Sequence, residues 1–578
     1  MNLVTPWVVG SVLAAAGMDT VGVKHKELKK LLQDHWVWLQ EQEPRVAMAA
    51  GDRNSVWRFG LESPKALGER RSSASDFLAR AHGLDLDGAT LDDLETHGLL
   101  IRHLQGVVDE VQCGFEQWRV VPRSNPLERA NGLASIRELH IVWADRAIAQ
   151  VKHVERDVRE SLQNLRLGLA KGLVTDTESI ELVLVQLDEE LAKDVSEWTM
   201  TRIARDPHPS WSATQIGTFT SKMDTAAEEK ARPALEAYRA FLQDELLPAA
   251  RDAASPGLAG LDIGAACYAE RLAWYTSEPQ DPAALDALGR QELERLEAEL
   301  LALAGPLLGT SDTATTLDAL RTREELYFTD AEAIEDAARD ALGRAWKALP
   351  PWVGKRPKVR VQVDPVPDWY ADRASSGFYV TPRGDGPGTY LVNTSRPTTR
   401  PRFEAEALAF HEAVPGHHLQ RTLAVKGVPG FRRFTGTSPF IEGWALYAEE
   451  LALEMGLYSA DIDRVGQLTM AMFRAARLVV DTGLHDRGWS RAEAIQFLLD
   501  HTALTRDEAE VQVERYLAMP GQAVSYWVGA GEIRDLREHT AAAMGDDFEL
   551  AAFHRVVLEG GEVTFDMMRA RVEAWAED

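Results

Sequence analysis

The sequence predicts a mainly α-helical fold with a small antiparallel β-sheet inserted ahead of a helix rich in His and Glu. Apolar residues recur at three-and-four spacing through the first 350 residues. Alternating segments bounded by Pro and Gly replace this pattern between Pro350 and Pro401, and helical periodicity returns from Phe403 to the end. We therefore expect an N-terminal helical region at 1–350 and a second region at 351–578, joined into one integrated fold.

Four segments carry the strongest helical pattern before residue 350, and two capping boxes start helices near the end of the chain. The helical segments are Ile136–Leu173, Ser179–Ala192, Ala226–Leu246 and Pro282–Leu303. The capping boxes are Ser490 with Glu493 and Thr505 with Glu508.

Three short segments between the helical regions predict strands. They are Val359–Val363, Gly377–Val380 and Gly388–Asn393. The turn-forming run Asp385–Gly388 separates the second from the third, which favours an antiparallel hairpin.

The composition is that of a large globular protein. At 578 residues, the chain is too long for one small core. Its net charge of -27 argues against binding to nucleic acid or to an anionic membrane, because both would repel an acidic surface.

The chain contains two cysteines, Cys113 and Cys267, far apart in sequence. Two are too few for a disulfide framework or for a thiolate zinc cluster. Any bound metal must therefore be held by imidazole and carboxylate groups.

The N-terminal segment Met1–Met18 is apolar and contains a run of small residues, as secretory signals do. No Lys or Arg precedes its apolar part, however, and Pro6 interrupts it. We therefore expect a cytoplasmic protein, with export through this weak signal-like segment as the alternative. No other segment approaches the length of a membrane-spanning helix.

The motif that carries chemistry begins with His411 and Glu412 and continues through Pro415 and Gly416 to His417 and His418. A second apolar run begins about two dozen residues later, at Glu442. A hydrolytic zinc site needs three protein ligands, an open position for water and a free carboxylate that acts as base. The order of residues here can supply the three ligands and the carboxylate base.

The spacing requires a distorted helix. A regular zinc helix places its two His at i and i+4, but position i+4 from His411 is Pro415. His417 lies at i+6, about 120° around a regular helix, and His418 lies at i+7. Pro415 removes a backbone donor and Gly416 permits unusual dihedral angles, so a bulge would bring His417 to the ligand position. We favour His417 as the second ligand and keep His418 as the alternative.

We expect one Zn²⁺ per chain, with His411, His417 and Glu442 as ligands. Glu412 would act as general base and proton shuttle. Glu449 lies at i+7 from Glu442 and could orient a ligand imidazole. The plain alternative is a solvated helix end, but a Pro-Gly break followed by two His costs stability and so favours a functional site.

These residues resemble a known family. The motif from His411 to Gln420, followed by Glu442-Gly443-Trp444-Ala445 and Glu449, is similar to the bacterial domain-of-unknown-function family 885, which is grouped with the gluzincin metallopeptidases. Weaker similarities are found near Asn164, Gly388 and Pro520, so the resemblance extends over most of the chain.

A more distant similarity is to the thimet oligopeptidase and carboxypeptidase Taq families, which are helical proteins with a deep cleft. Gly416-His417 and Glu442 match the spacing of their motifs, although the uninterrupted His-Glu-x-x-His is absent here. This resemblance implies a deep cleft, and it implies that Tyr526 steadies the oxyanion, a role that suits a phenol donor. A core position is the alternative for Tyr526.

Two further groups of residues are candidates. Arg477, Asp481 and His485 lie on one helical stripe, so that His485 could contact the oxyanion or substrate with Asp481 fixing its tautomer. An ion-paired packing stripe is equally consistent. Tyr390 and Asn393 could belong to an edge strand that binds an extended peptide, or to a plain hairpin.

The sequence therefore predicts a zinc-dependent hydrolase of short peptides. Two rival hypotheses stay open. The same site could hydrolyse a non-peptide amide of specialised metabolism, or the chain could be a metal-free binding or scaffold protein. The expected partner is a small peptide or amide, and the oligomeric state cannot be predicted.

Overall fold

A computed structural model describes residues 18–49, 52, 55, 60–136, 139–367, 371, 374–382, 386–424 and 427–577. These residues are mainly helical and include a small three-stranded sheet, as the sequence predicts. The signal-like segment, apart from Met18, and Asp385 of the predicted turn lie outside them.

The helices that precede the sheet follow the predicted periodicity closely. They are α1 (Lys26–Gln42), α2 (Pro44–Ala49), α3 (Pro64–His82), α4 (Leu91–Cys113), α5 (Phe115–Trp118), α6 (Pro126–Asn131), α7 (Ala144–Ala170), α8 (Thr177–Leu191), α9 (Ala213–Ala226), α10 (Arg232–Phe241), α11 (Gly264–Thr276), α12 (Pro282–Leu308), α13 (Thr313–Thr322), α14 (Ala331–Ala348) and α15 (Pro350–Val353). The predicted helix Ile136–Leu173 is shorter than expected, since it begins at Ala144, after the 3₁₀ turn Ile141–Trp143.

The helices that follow the sheet carry the His/Glu motif and the two capping boxes, both of which are present. They are α16 (Ala405–Glu412), α17 (His417–Ala424), α18 (Ser438–Glu454), α19 (Asp461–His485), α20 (Arg491–His501), α21 (Arg506–Ala518), α22 (Ser525–Met544), α23 (Leu550–Glu559) and α24 (Phe565–Glu577).

The sheet is mixed, so the expectation of an antiparallel sheet is wrong. Its strands are β1 (Val361–Pro365), β2 (Gly377–Val380) and β3 (Gly388–Val392), in the order β1-β3-β2. β2 pairs antiparallel with β3, but β1 pairs parallel with β3. Alternation locates strands but does not give their order, and here the first strand pairs with the third.

The buried apolar residues form two main cores. The larger core draws on residues 23–118 and 258–572, and the smaller core on residues 120–246. The predicted division at residue 350 falls inside the larger core, so it marks the start of the sheet and not a gap between the two cores.

Cys113 and Cys267 are joined in a disulfide that links the end of α4 to α11, across 154 residues of sequence. The chain is thus cross-linked although its cysteines are too few for a framework. The pairing could not be predicted from the sequence, because only the packing of α4 against α11 brings the two cysteines together. In the described part of the chain, no helix is long and apolar enough to cross a membrane.

The close crossing of α18 and α22 fixes the position of Glu442. A Cβ added at Gly443 would lie 2.4 Å from the carbonyl carbon of Gly529, and one added at Gly529 would lie 2.0 Å from the carbonyl oxygen of Pro439. Only glycine permits this approach. Because Glu442 precedes Gly443 on α18, the crossing determines where its carboxylate lies.

We predict that Gly443→Val destabilises the protein by about 1–3 kcal/mol or more, because the added side chain must push α22 away. The free energy of unfolding from denaturant titration measures this. Gly531→Ala on α22 is the matched control, because its Cβ would meet only the Arg534 side chain, at 3.8 Å. Equal stability of both variants would contradict the close crossing.

Candidate functional site

The helical backbone breaks between α16 and α17, inside the His/Glu motif. The Gly416 N–H donates to the Phe410 carbonyl at 2.9 Å, and the His418 N–H donates to the Ala413 carbonyl at 3.0 Å. Pro415 has no N–H to continue the ladder. A Cβ at Gly416 would lie 1.9 Å from the His411 carbonyl oxygen, so this position requires glycine.

The break folds His417 back beside His411. Their ring centroids lie 4.9 Å apart, at nearly a right angle. Potential ligand atoms of His411, Glu412 and His417 all lie within 4.8 Å of one another. The break at Ala413–Gly416 thus brings the two histidines together, as a single helical turn does in a regular zinc helix.

Glu442 completes the cluster from α18. Its Oε2 lies 3.9 Å from His411 Nε2 and 3.5 Å from His417 Nε2. The structure therefore brings together the three predicted ligands and the predicted base. We define this group (His411, Glu412, His417 and Glu442) as the His/Glu cluster.

Glu449 orients His411, as the sequence suggested. Burial, with the positive charges of His417 and Arg474, holds the pKa of His411 well below its usual value, so its imidazole is neutral. A neutral ring has one N–H, and Nδ1 lies 2.7 Å from the Glu449 carboxylate. Nδ1 therefore donates, which leaves the lone pair of Nε2 facing Glu442.

The edge strand β2 holds Glu412. The Tyr379 N–H donates to Glu412 Oε2 at 2.9 Å. Burial raises the pKa of Glu412 to about 7; the charge of Glu442 adds to this effect, while His417 opposes it. A carboxyl group with this pKa suits both acceptance and return of a proton near neutral pH.

His417 and Glu442 behave as a charge pair. Burial alone would raise the pKa of Glu442, but the hydrogen bond and charge of His417 lower it to about 2. Burial opposes protonation of His417, yet the hydrogen bond and charge of Glu442 raise its pKa above the usual value. The cluster thus holds one firmly ionised carboxylate facing the two imidazoles.

His418 lies outside the cluster. Its Nε2 donates to the Val359 carbonyl at 3.1 Å, and its Nδ1 accepts from the Tyr379 hydroxyl at 3.0 Å. Burial lowers its pKa to about 4. Both ring nitrogens are thus engaged with residues of the sheet region, so this geometry favours His417 over His418 as the second ligand.

Asp481 and His485 are placed in a buried network away from the cluster. Asp481 accepts from the Tyr268 hydroxyl at 2.7 Å and from the Gly521 N–H at 3.0 Å. His485 accepts from the Leu258 N–H at 3.2 Å and donates to the Tyr516 carbonyl at 3.1 Å. Neither the expected contact between the two residues nor a contact of His485 with the cluster is found in the described structure, so that expectation is corrected.

Tyr390 and Asn393 do not belong to an edge strand. β3 is the central strand, and its main chain pairs with β1 on one side and β2 on the other. The Asn393 amide donates to the Ala371 and Ala374 carbonyls at 2.7 and 3.1 Å. The exposed edge nearer the cluster is β2, which sequence reasoning did not single out.

A large cavity of about 2950 Å³ opens onto the cluster. Residues of both cores line it, together with Arg477 and Tyr526. The Tyr526 hydroxyl accepts a hydrogen bond from Arg515 at 3.0 Å. Arg515 and Tyr379 were missed from the sequence, because no motif marks a residue that reaches the site from a separate element.

Comparisons with solved structures show the same fold in other bacteria. A protein from Colwellia psychrerythraea, called a "putative lipoprotein", matches with a TM-score of 0.87 and 22% identity over 95% of this chain and 99% of its own. A Shewanella oneidensis protein described in the same terms, with function unknown, matches with a TM-score of 0.71 and 18% identity over 94% of this chain and 98% of its own.

No curated protein matches the sequence significantly. The sequence profile of one family, bacterial proteins of unknown function (DUF885), matches residues 44–572. That match spans nearly the whole chain and includes the His/Glu cluster. The protein is a member of the DUF885 family.

Proposed function

We propose that this protein is a zinc-dependent hydrolase of the gluzincin kind that cleaves amide bonds in short peptides. The observation that carries the proposal is the His/Glu cluster, in which separate helices bring two imidazoles and two carboxylates together beside a large cavity. A deep metallopeptidase-like cleft would correspond to this cavity.

Two distances between donor atoms support a zinc site. Ligands about 2.1 Å from a tetrahedral zinc ion lie about 3.4 Å from one another. The Nε2 atoms of His417 and His411 lie 3.5 and 3.9 Å from Glu442 Oε2, which is close to this value. His411, His417 and Glu442 would hold the ion, and the bond from His411 to Glu449 is the support that metal-bound imidazoles usually have.

Zinc bound there would supply Lewis-acid activation of water and of the scissile carbonyl. Glu412 would take a proton from the attacking water and pass it to the departing amine. Its hydrogen bond from the Tyr379 N–H fixes one oxygen, which leaves the other for this transfer.

Tyr526 would stabilise negative charge on the substrate oxygen. Arg515 can only donate, so the Tyr526 oxygen is the acceptor of their hydrogen bond. The hydroxyl proton of Tyr526 is then free to point into the cavity. A phenol that donates in this way aids hydrolysis, because charge develops on the substrate oxygen in the transition state.

We predict that His417→Ala abolishes stoichiometric zinc binding, whereas His418→Ala retains it. The reason is that His417 faces Glu442, while both nitrogens of His418 are engaged elsewhere. Elemental analysis of the two purified variants and the parent protein measures this. Zinc loss only from the His418 variant would exchange the two roles.

We predict that Glu412→Gln keeps zinc but lowers turnover of short peptides about 10²- to 10⁴-fold, because the proton acceptor is lost. Turnover is measured with a peptide library and mass spectrometry, and zinc by elemental analysis. Zinc loss would mean that Glu412 is a ligand. A wild-type protein that binds zinc but cleaves no peptide would favour a non-peptide amide, and one that binds no zinc would favour a scaffold.

We also propose that the protein works outside the reducing cytoplasm, which favours the exported alternative over the cytoplasmic expectation. The buried Cys113–Cys267 disulfide supports this, since such bonds persist mainly in oxidising compartments. The lipoprotein description of the two structural relatives agrees with it.

The compartment can be tested by thiol alkylation of protein isolated from its own cells and unfolded in denaturant. We predict no labelled cysteine before reduction and two after it, because the chain has two cysteines and both are in the disulfide. A Cys267→Ser variant, with one label before reduction, controls for access of the reagent. Two labels before reduction would support the cytoplasmic expectation.

A further inference from the structure

We propose that Arg477 and Arg515 form a subsite that binds a carboxylate group of the substrate, beside Tyr526 in the large cavity. The identity of the ligand as a substrate rests on the proposed function. The subsite itself rests on the surroundings of the two guanidinium groups.

Arg477 is a buried cation with an unused donor. It lines the large cavity from α19, and only 4% of its surface is exposed. Its guanidinium carbon lies 4.1 Å from the ring centre of Phe473 and 4.4 Å from that of Tyr526. Its Nε donates to the Tyr516 hydroxyl at 3.3 Å, but the buried Nη1 has no acceptor among the described residues.

Two other buried arginines have the carboxylate partners that Arg477 lacks among the described residues. Arg474, one turn earlier on α19, lies 3.4 Å from the Glu449 carboxylate. Arg491, which is as deeply buried as Arg477, pairs with Asp176 at 2.7 Å and with Glu514 at 2.6 Å.

Arg477 has no such partner: within the described part of the chain, no Asp or Glu oxygen lies within 4.0 Å of a nitrogen of Arg477 or Arg515. An unpaired buried charge is costly. We therefore expect an anion from outside the chain to bind beside Arg477.

Arg515 adds a second cation beside Tyr526. Its Nη2 donates to the Tyr526 hydroxyl at 3.0 Å and to Gln522 Oε1 at 2.8 Å. Arg515 and Arg477 both line the large cavity, as do the four residues of the His/Glu cluster. The two guanidinium groups and the cluster thus border the same cavity.

The chemistry of the proposed substrate identifies the anion. A short peptide carries a carboxylate either at its C-terminus or on an acidic side chain, and guanidinium groups match the planar carboxylate with paired hydrogen bonds. A carboxylate held there would keep the peptide in the cavity that Glu412 also lines. Both sources share one chemistry, and peptide probes can separate them.

The test compares three probes: N-acetyl-tetra-alanine with a free C-terminus, its C-terminal amide, and the same amide with Glu as the last residue. Binding is measured by calorimetry on the Glu412→Gln protein, with zinc and after chelation. We expect the free acid to bind at least about tenfold more tightly than the plain amide, since charge-assisted hydrogen bonds are lost in the amide.

Tight binding of the Glu amide as well would extend the subsite to acidic side chains, while weak binding would restrict it to the C-terminus; both results support a carboxylate subsite. Equal binding of all three probes would overturn it. The zinc-free measurement is needed because a carboxylate could also bind zinc directly, and a preference that disappears after chelation would overturn the assignment to arginine.

Arg477→Lys and Arg515→Lys provide a second test. Each should reduce the preference for the free acid at least about threefold, because lysine keeps the charge but loses the paired geometry. Arg464→Lys on α19 is the matched control, since neither Arg464 nor its partner Glu299 lines the large cavity. An unchanged preference in both test variants would contradict the proposal.

The two proposals fail separately. If the wild-type protein cleaves no peptide but prefers the free acid through Arg477 and Arg515, the hydrolase proposal falls and the carboxylate subsite stands. If it cleaves the free acid and the amide at equal rates with equal affinity, the hydrolase proposal stands and the subsite falls. Thermal melting of each variant confirms that it is folded.

Discussion

The interruption of one helix between Glu412 and His417 sets the geometry on which the site depends. A continuous helix would place His417 about 120° away from His411. The turn at Ala413–Gly416 instead brings the two rings to 4.9 Å, and the hydrogen bond from the Gly416 N–H to the Phe410 carbonyl closes the turn. Other elements of the fold surround this turn and supply or support the members of the His/Glu cluster.

Three of these elements act on different members of the His/Glu cluster. The crossing of α18 and α22 at Gly443 positions Glu442. The carboxylate of Glu449, two turns further along α18, orients His411. The edge strand β2 fixes Glu412 through a main-chain N–H. Because α18, α22 and β2 lie apart in the sequence, these supports come together only in the completed fold. This arrangement suits a reaction in which proton transfer depends on a fixed distance.

Local patterns predicted a good part of this structure. The Pro-Gly interruption indicated a distorted helix and favoured His417, and the spacing of Glu442 and Glu449 placed both on one helix beside it. Composition and periodicity located the strands and most helices. Each of these features depends on residues that lie close together in the sequence.

Features that depend on distant pairing could not be predicted. The sheet was wrongly predicted to be antiparallel, since alternation does not record that β1 pairs parallel with β3, and the edge strand considered for Tyr390 and Asn393 is not found there. His485 shares a helical stripe with Arg477, but that stripe faces two surroundings: Arg477 borders the large cavity, while His485 packs against Leu258 and Tyr516. Cys113 and Cys267 meet only because α4 packs against α11.

The central claim is that the His/Glu cluster holds zinc, and anomalous X-ray diffraction at the zinc absorption edge tests it most directly. Crystals of protein reconstituted with one equivalent of zinc should show a single strong anomalous peak. That peak should lie between the Nε2 atoms of His411 and His417 and the carboxylate of Glu442. A peak on His418 or elsewhere, or no peak at the cluster, would contradict it.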